Sequence, residues 1–546
     1  MGKLKGIGAS KGVVIGKVLV IKQDKMAVDK QTTKSADEEI TRLEKAADDA
    51  TNQLKELQEY ALKNVGEDES AIFEVHQMMI MDGELTDRTK EIIIDEGVSA
   101  EYAMQLTSDE YSSLFKSMED SYMRERGVDI EDISKRIINI LTGKKEQSLS
   151  DLEKPVIIVT KDLLPSDTVQ MDKRNVLGII TQVGSKMSHS SIIARTMQIP
   201  AVVGVEDVFE NIKDGDEIIL DGRDGNIFIN PDKDMKMQWT QEQNKYKNRL
   251  EDLNKLKGTK SITKDGVEIK INANIGSPLD VEGVLENDAE GIGLFRSEFL
   301  YMHSNTIPSE ESQFHAYRTV LEQMGNKQVI IRTLDVGGDK EIPYLKIPKE
   351  DNPFLGYRGI RICLDQVGLF KTQLKALLRA SVYGKLGIMF PMICTIEELR
   401  QAKRILEEVK QDLNQEGKLF SKDIEIGVMI ETPAAVMITD LLAKEVDFFS
   451  IGTNDLTQYT MAVDRMNPKV EYLYDTHNPS VLRLIEMTIK NGHKENIWVG
   501  ICGEAAADST LTQTFVDMGV DELSVNSGAV LEIREMIQSI ETNIKC

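Results

Sequence analysis

The sequence predicts a multidomain α/β chain that ends in a (β/α)8 barrel of TIM type. Three observations carry this. Residues 34–144 hold almost no strand signal and no proline. Residues 155–230 instead place short apolar runs between Gly, Asp and polar turns. From residue 261 onward eight apolar runs recur, and most of the gaps can hold a helix. A doubly wound sheet, the main alternative, rarely carries so many even units.

The 546 residues call for several domains, and 41% hydrophobic with 29% charged residues is an ordinary core-forming composition. No run approaches the ~20 apolar residues that span a bilayer. The start "MGKLKGIGASKGVVIG" lacks the apolar core and cleavage site of a secretion signal. Its "GIGASK" matches a myristoylation pattern only weakly and reads better as a first strand. A formal net charge of -25 excludes nucleic acid as the main partner, because phosphate backbones need basic patches. Cys363, Cys394, Cys502 and Cys546 are widely spaced with no CxxC. That spacing argues against a disulfide framework or a zinc site and fits a reducing, cytoplasmic setting.

Residues 3–20, "LKGIGASKGVVIGKVLVI", read as a strand pair. Gly6 and Gly8 begin a GxGxxG, but Lys11 stands at the third glycine position. "GVVIGKV" lacks P-loop spacing. The glycines therefore read as a turn. In residues 34–144 apolar groups fall at helical spacing, with breaks near Gly66, Gly83, Gly97 and Gly127, which predicts a bundle of four or more helices. That block has 27 Asp/Glu against 13 Lys/Arg, a net of -14, and so over half of the chain's excess. Such a face suits a partner carrying basic groups, although a merely solvated surface has the same composition. Residues 1–33 and 145–230 then form one α/β domain into which the bundle is inserted. Residues 231–260 are polar and helix-forming, a helical linker. Residues 261–546 form the barrel, with strands in "VEIKINANI", "GIGLF", "QVIIRTLDV", "LGIMFPMI", "EIGVMIET", "FFSIGTNDL", "WVGICGE" and "ELSVN".

Barrels of this type carry function at strand C-terminal ends. Those ends hold Arg296, Arg332 with Asp335, Glu431, Asn454 with Asp455, Arg465 in the next loop, and Cys502 with Glu504. Alone, an arginine is usually a surface ion pair, and a strand-end acid usually caps a helix. Together they form a coherent set. Glu431 and Asp455 are hard oxygen donors of the kind that hold Mg2+ with substrate oxygens. Arg296, Arg332 and Arg465 offer bidentate donors to phosphate and carboxylate. The implied ligand is a small, multiply anionic phosphate ester. Cys502 fits a nucleophile, a proton donor or a packed thiol.

One of only six histidines, His189, stands in "GSKMSHSSIIARTMQIP" just before an amphipathic run. Ser188 or Ser190 can cap the helix. A helix N-terminus stabilises phosphate and disfavours imidazolium, leaving a neutral, nucleophilic ring. From the loop alone, a capping histidine is the commoner reading.

The wider set of motifs resembles the phosphoenolpyruvate-utilising enzymes. "GSKMSHSSIIAR" is similar to their phosphohistidine motif. "EGIGLFRSEFLYM", "RTLDVGGDKEIPYL", "NPFLGYRGIRI", "IETPAA", "FFSIGTNDLTQYTMAVDR" and "GICGEAA" are similar to their barrel motifs. Over nearly its whole length the chain resembles the enzyme I family of the phosphotransferase system. That resemblance implies a swivelling phosphohistidine domain and phosphoenolpyruvate bound in the barrel with Mg2+ on Glu431 and Asp455. It implies His189 as phosphoryl acceptor, Thr168 orienting it, and Cys502 as proton donor to enolpyruvate. Arg296, Arg332, Arg465 and Asn454 would hold the substrate beside Asp455, with Arg358 and Lys340 as further contributors. The phosphoryl group would pass to the carrier protein HPr, docked on the bundle near His76 and Arg126. A homodimer through the barrel is also implied. The pattern departs at Met187, where a small or hydroxyl residue is usual, and at "ELSVNSGAV", after which the chain ends early. A pyruvate phosphate dikinase or phosphoenolpyruvate synthase would need an ATP-grasp domain that residues 1–150 are too short and too helical to form. A non-catalytic regulatory phosphoprotein would not need the complete arginine and carboxylate set.

Overall fold

The computed structural model describes the chain except residues 1, 22–28, 33, 65–66, 117–120, 144–151, 153, 164–170, 172–173, 185–187, 198, 303–305, 339–341, 346, 468 and 543–546. Side chains are likewise not described at 62–64, 67–71, 116, 121–125, 189, 192–193, 196 and 343. The chain divides into two compact units, Met1–Leu250 and Glu251–Cys546. Among the described residues no helix is long and apolar enough to cross a membrane.

In the first unit, helices α1 (Ala36–Asn64), α2 (Glu67–Met81), α3 (Glu84–Glu96), α4 (Ala100–Lys116) and α5 (Ser121–Thr142) form the bundle. Their apolar stripes meet in a core that includes Leu43, Leu54, Phe73, Ile93, Met104, Ile133 and Ile137. Gly83 and Gly97 end helices because each takes a left-handed φ, 85° and 60°. The Gly97 N–H then closes α3 onto the Ile93 carbonyl at 3.0 Å. Gly127, expected as a break, instead lies buried inside α5. The cost of ~1 kcal/mol for an interior glycine is outweighed by the packed isoleucines that follow it.

The α/β part holds strands β1 (Gly2–Lys5), β2 (Ile7–Ser10), β3 (Val13–Ile21), β4 (Val156–Thr160), β5 (Val176–Thr181), β6 (Ala201–Val203), β7 (Glu217–Asp221) and β8 (Asn226–Ile229). The stretch expected as a strand pair is thus three strands. The sheet order is β1-β8-β7-β3-β4-β5-β6-β2. β1 and β2 lie at opposite edges, yet only Gly6 separates them. Neighbouring Cα atoms are ~3.8 Å apart, so the two edges must converge there and the sheet must roll up. A Cβ at Gly6 would lie 2.7 Å from Val202 Cγ1 and from the Val203 carbonyl. The glycines that imitate a nucleotide loop serve this junction. The bundle leaves the sheet after β3 and returns at β4, and these two strands pair in parallel, Val18 with Ile157.

Helix Lys233–Asn254 runs through the Leu250/Glu251 boundary. Beyond it, β9 (Lys270–Ile275), β10 (Ile292–Arg296), β11 (Gln328–Arg332), β12 (Lys385–Phe390), β13 (Glu425–Ile430), β14 (Phe448–Ile451), β15 (Trp498–Ile501) and β16 (Glu522–Asn526) close a barrel, each strand parallel to its neighbours. All eight match predicted runs. The inner layer is Leu294, Ile330, Met389, Met429, Phe448 and Cys502. Gly427 makes room for one of its rings, since a Cβ there would sit 2.3 Å from Phe448 Cε2. The outer helix Ile396–Gln415 begins at a capping box, Thr395 and Glu398 exchanging bonds with each other's backbone.

Candidate active site

Strand side chains alternate, so the residue two places after an inward apolar one points inward again. Leu294 is followed in this way by Arg296, Ile330 by Arg332, and Met429 by Glu431. The charged residues therefore form the next layer, at the strand C-terminal ends.

These charges are built into a buried net. Arg332 donates from Nη1 to Asp335 Oδ2 at 2.9 Å and from Nη2 to Glu298 Oε1 at 3.1 Å. Burial works against its charge, but Glu298 and Asp335 more than offset that and raise its proton affinity. Arg358 donates from Nε and Nη2 to the two Asp335 oxygens, each at 3.0 Å. It also donates to Asp455 Oδ1 at 3.3 Å, Asp455 Oδ2 at 3.0 Å and the Tyr459 hydroxyl at 3.1 Å. A guanidinium has five N–H groups, and these five bonds use them all. Arg358 is thus spent on protein partners rather than open to a ligand.

Glu431 is buried and accepts the Met392 N–H at 2.7 Å. Met392 takes a left-handed φ of 55°, strain that aims this donor at the carboxylate. Burial, then the Asp335 and Asp455 carboxylates, push Glu431 up to about 8. A cation between Glu431 and Asp455 would relieve that repulsion, so the pair fits a divalent metal completed by substrate oxygens. Among the described residues no larger cluster of His, Cys, Asp and Glu could hold a metal.

Cys502 lies in the inner layer, 2% exposed, its thiol donating to the Ile451 carbonyl at 3.6 Å. Burial pushes it up to about 11, so the sulfur carries its proton at neutral pH. Asn454 and Asp455 fall in the first turn of helix Thr453–Met461 rather than on the strand itself. Asn454 and Glu504 hold each other, the Glu504 N–H donating to Asn454 Oδ1 at 2.9 Å and Asn454 Nδ2 to Glu504 Oε1 at 3.3 Å. The Tyr474 hydroxyl donates to the Asn454 carbonyl at 3.3 Å and hydrogen-bonds the Arg465 side chain. Arg296 is exposed at the mouth, within electrostatic reach of Arg332, Glu298, Cys502 and Glu504.

The barrel therefore gathers Arg296, Arg332, Arg358, Glu431, Asn454, Asp455, Arg465 and Cys502 at one end. In the other unit, His189 begins helix His189–Thr196. Ser188 precedes it, its hydroxyl 3.0 Å from Ser190 Oγ and 3.1 Å from Ser191 Oγ. Of the two serines proposed as cap, Ser188 occupies the position before the helix, while Ser190 falls within its first turn. Thr168, Met187 and Lys340 lie outside the described residues.

Models of the PEP-utilising enzymes match three stretches: the PEP-binding domain over residues 250–542, the N-terminal domain over 5–126 and the mobile domain over 152–225. The chain belongs to the PEP-utilising enzymes. Its relatives named phosphoenolpyruvate-protein phosphotransferase include that of Priestia megaterium, 46% identical over 98% of this chain and 94% of the relative. The Geobacillus stearothermophilus protein is 47% identical over 98% and 93%. The protein of Bacillus subtilis (strain 168) is 46% identical over 99% and 95%.

In this PEP-utilising chain the bundle residues behave differently from each other. His76 is 0% exposed, its Nε2 3.2 Å from Asp129 Oδ1. Arg126 pairs with the other Asp129 oxygen at 3.2 Å and lines a surface groove with Met78, Met79, Met81 and Phe115. His76 thus reaches that groove only through Asp129 and Arg126, because its ring is enclosed in the core. Several site residues escaped the sequence reading: Glu298, Met392, Tyr459 and Tyr474. Glu298 and Met392 do closely follow strands, but a carboxylate inside "FRSEFL", a methionine whose backbone N–H is the donor or a tyrosine carries no local signal of its partner.

Proposed function

We propose that this chain transfers the phosphoryl group of phosphoenolpyruvate to its own His189 and then to the histidine of the carrier HPr, releasing pyruvate. The observation that carries this is the buried net joining Arg332, Asp335, Arg358 and Asp455, with Glu431 within its electrostatic reach, beside a protonated Cys502 thiol. Guanidinium donors beside two hard carboxylates suit a phosphate ester that also bears a carboxylate.

Arg296 and Arg332 take the phosphoryl oxygens, and Arg465 with Asn454 takes the substrate carboxylate. Glu431 and Asp455 would hold Mg2+, which neutralises phosphoryl charge when bound. His189 Nε2 attacks phosphorus; an N–P bond forms as the bond to the enol oxygen breaks. The Cys502 thiol gives its proton to the terminal carbon of enolpyruvate, yielding pyruvate, and recovers one from solvent. Placement and charge do most of this work, because phosphoryl transfer asks little covalent chemistry of the protein.

The same proposal assigns residues 1–33 and 145–230 to the phosphohistidine domain, with Thr168 orienting His189. It assigns 34–144 to HPr binding with Arg126 at the contact, 231–260 to the linker, and 261–546 to the barrel, through which two copies pair. Lys340 is a further candidate at the mouth. The test is labelling by phosphoenolpyruvate carrying radioactive phosphorus, followed by addition of HPr. The wild-type chain is expected to take up label and pass it on, and His189→Ala to take up none. Label in His189→Ala, or none passed to HPr, overturns the assignment.

A further inference from the structure

We propose that Asp335, acting through Arg358, is a positioning residue that sets Asp455 for the metal and Arg332 for the phosphoryl group at once. This rests on the phosphotransferase function proposed above. Asp335 is 1% exposed and stands between two arginines. Its Oδ2 accepts from Arg332 Nη1 at 2.9 Å and from Arg358 Nη2 at 3.0 Å, while its Oδ1 accepts from Arg358 Nε at 3.0 Å. Arg358 turns its remaining N–H groups to both oxygens of Asp455 and to Tyr459.

One carboxylate thereby fixes the substrate side and the metal side of the site in a single register. Asp335 also shares the Arg358 charge, so Asp455 is not fully neutralised and keeps the character of a metal ligand. Arg332 is held the same way. Its Nη1 donates to Asp335 and its Nη2 to Glu298, but unlike Arg358 it keeps N–H groups for a ligand, among them Nε, buried without a protein partner. The Asp335 N–H donates to the same Glu298 oxygen at 3.0 Å. Gly359, φ 59°, makes way for this carboxylate, since a Cβ there would lie 3.1 Å from Asp335 Oδ1. Partners that orient ligating carboxylates typically matter ~10–100-fold for metal affinity.

The test is Asp335→Asn, which keeps the shape but faces an arginine with an amide N–H in place of an acceptor. Mn2+ binding is read by EPR and phosphoenolpyruvate binding by calorimetry, both in the full chain carrying His189→Ala so that no substrate is consumed. Both dissociation constants are expected to rise by about tenfold or more. In the catalytically intact background, KM for phosphoenolpyruvate rises alongside them and kcat at saturation changes much less. A lowered melting temperature with both constants unmoved means a merely structural role and overturns the proposal. If Asp335→Asn does not fold, Tyr459→Phe decides. It deletes one acceptor of Arg358, along with the Tyr459 hydroxyl's bond to the Phe354 carbonyl, and should weaken Mn2+ binding about threefold; an unchanged constant overturns the proposal. Labelling of the wild-type chain by phosphoenolpyruvate separates the two ideas. A chain that is labelled, with Asp335→Asn binding normally, loses only the positioning role, whereas an unlabelled chain that binds no phosphoenolpyruvate loses both.

Discussion

Glu431 and Glu522 are buried carboxyls at opposite ends of one barrel, and each is pushed up to about 8. In both the first cause is burial, yet their surroundings differ. Glu431 follows the end of β13, faces the Asp335 and Asp455 carboxylates, and sits among arginines. Glu522 opens β16, where Asn272 Nδ2 donates to it at 2.7 Å and Lys270 is an opposing charge, with the Glu425 and Asp521 carboxylates acting more weakly in the other direction. The first site is a charge arrangement that a cation would complete. The second is a closed polar contact on the β9–β16 seam, satisfied by a neutral acid. A raised carboxyl is therefore not a mark of function by itself; what faces it decides.

Exchanging each acid for its amide breaks or upholds this contrast. Glu431→Gln is expected to cut phosphorylation of His189 at least about a hundredfold, because it removes one of two metal donors. Initial rates of labelling from phosphoenolpyruvate measure this, and near-normal rates would place the metal elsewhere. Between the two ends lies Cys502. Cys502→Ala should slow pyruvate formation on the order of a hundredfold while leaving His189 able to accept and return the phosphoryl group. Pyruvate release at the normal rate would remove the thiol from the proton path.

Glu522→Gln should leave turnover nearly unchanged and act on stability instead. Between its ordinary 4.5 and the folded value of about 8, the folded chain holds a proton at Glu522 that the unfolded chain has lost. More protons bound in the folded state means that stability falls as pH rises across that window, by up to about 1.4 kcal/mol per pH unit. The amide removes this share. Thermal melts of variant and wild type should diverge from pH ~5 toward pH ~8, with the variant the more stable at the upper end. Parallel melts would mean that Glu522 is not buried as a neutral acid. The smallest effect belongs to Tyr474→Phe, which frees Arg465 from one contact at the mouth. KM for phosphoenolpyruvate should rise about two- to fivefold with kcat held.

The contrast also explains how much was legible beforehand. Arg332, Glu431 and Cys502 stand at strand ends in runs whose apolar alternation declares the strand and its inward face. Their layer followed from period two and the barrel rule. Glu298 and Tyr459 were not legible, since their partners lie far along the chain. The resemblance alone makes Arg358 a substrate contact, whereas its five hydrogen bonds to protein acceptors show it occupied. Propensity predicts a helix break at Gly127 because propensity is local, whereas the bundle core that overrides it is not.

Sequence by itself determined the repeating units, the acidic bundle, the barrel and the kinds of chemistry at its mouth, because composition and periodicity are properties of neighbouring residues. Tertiary structure alone decided which charges are spent on each other and which remain for a ligand. It enclosed His76 and left Arg126 at a groove, and it brought the two edges of the first sheet together at Gly6. Each of these depends on groups far apart in the chain meeting where water is excluded, and pairing and proton affinity are set there.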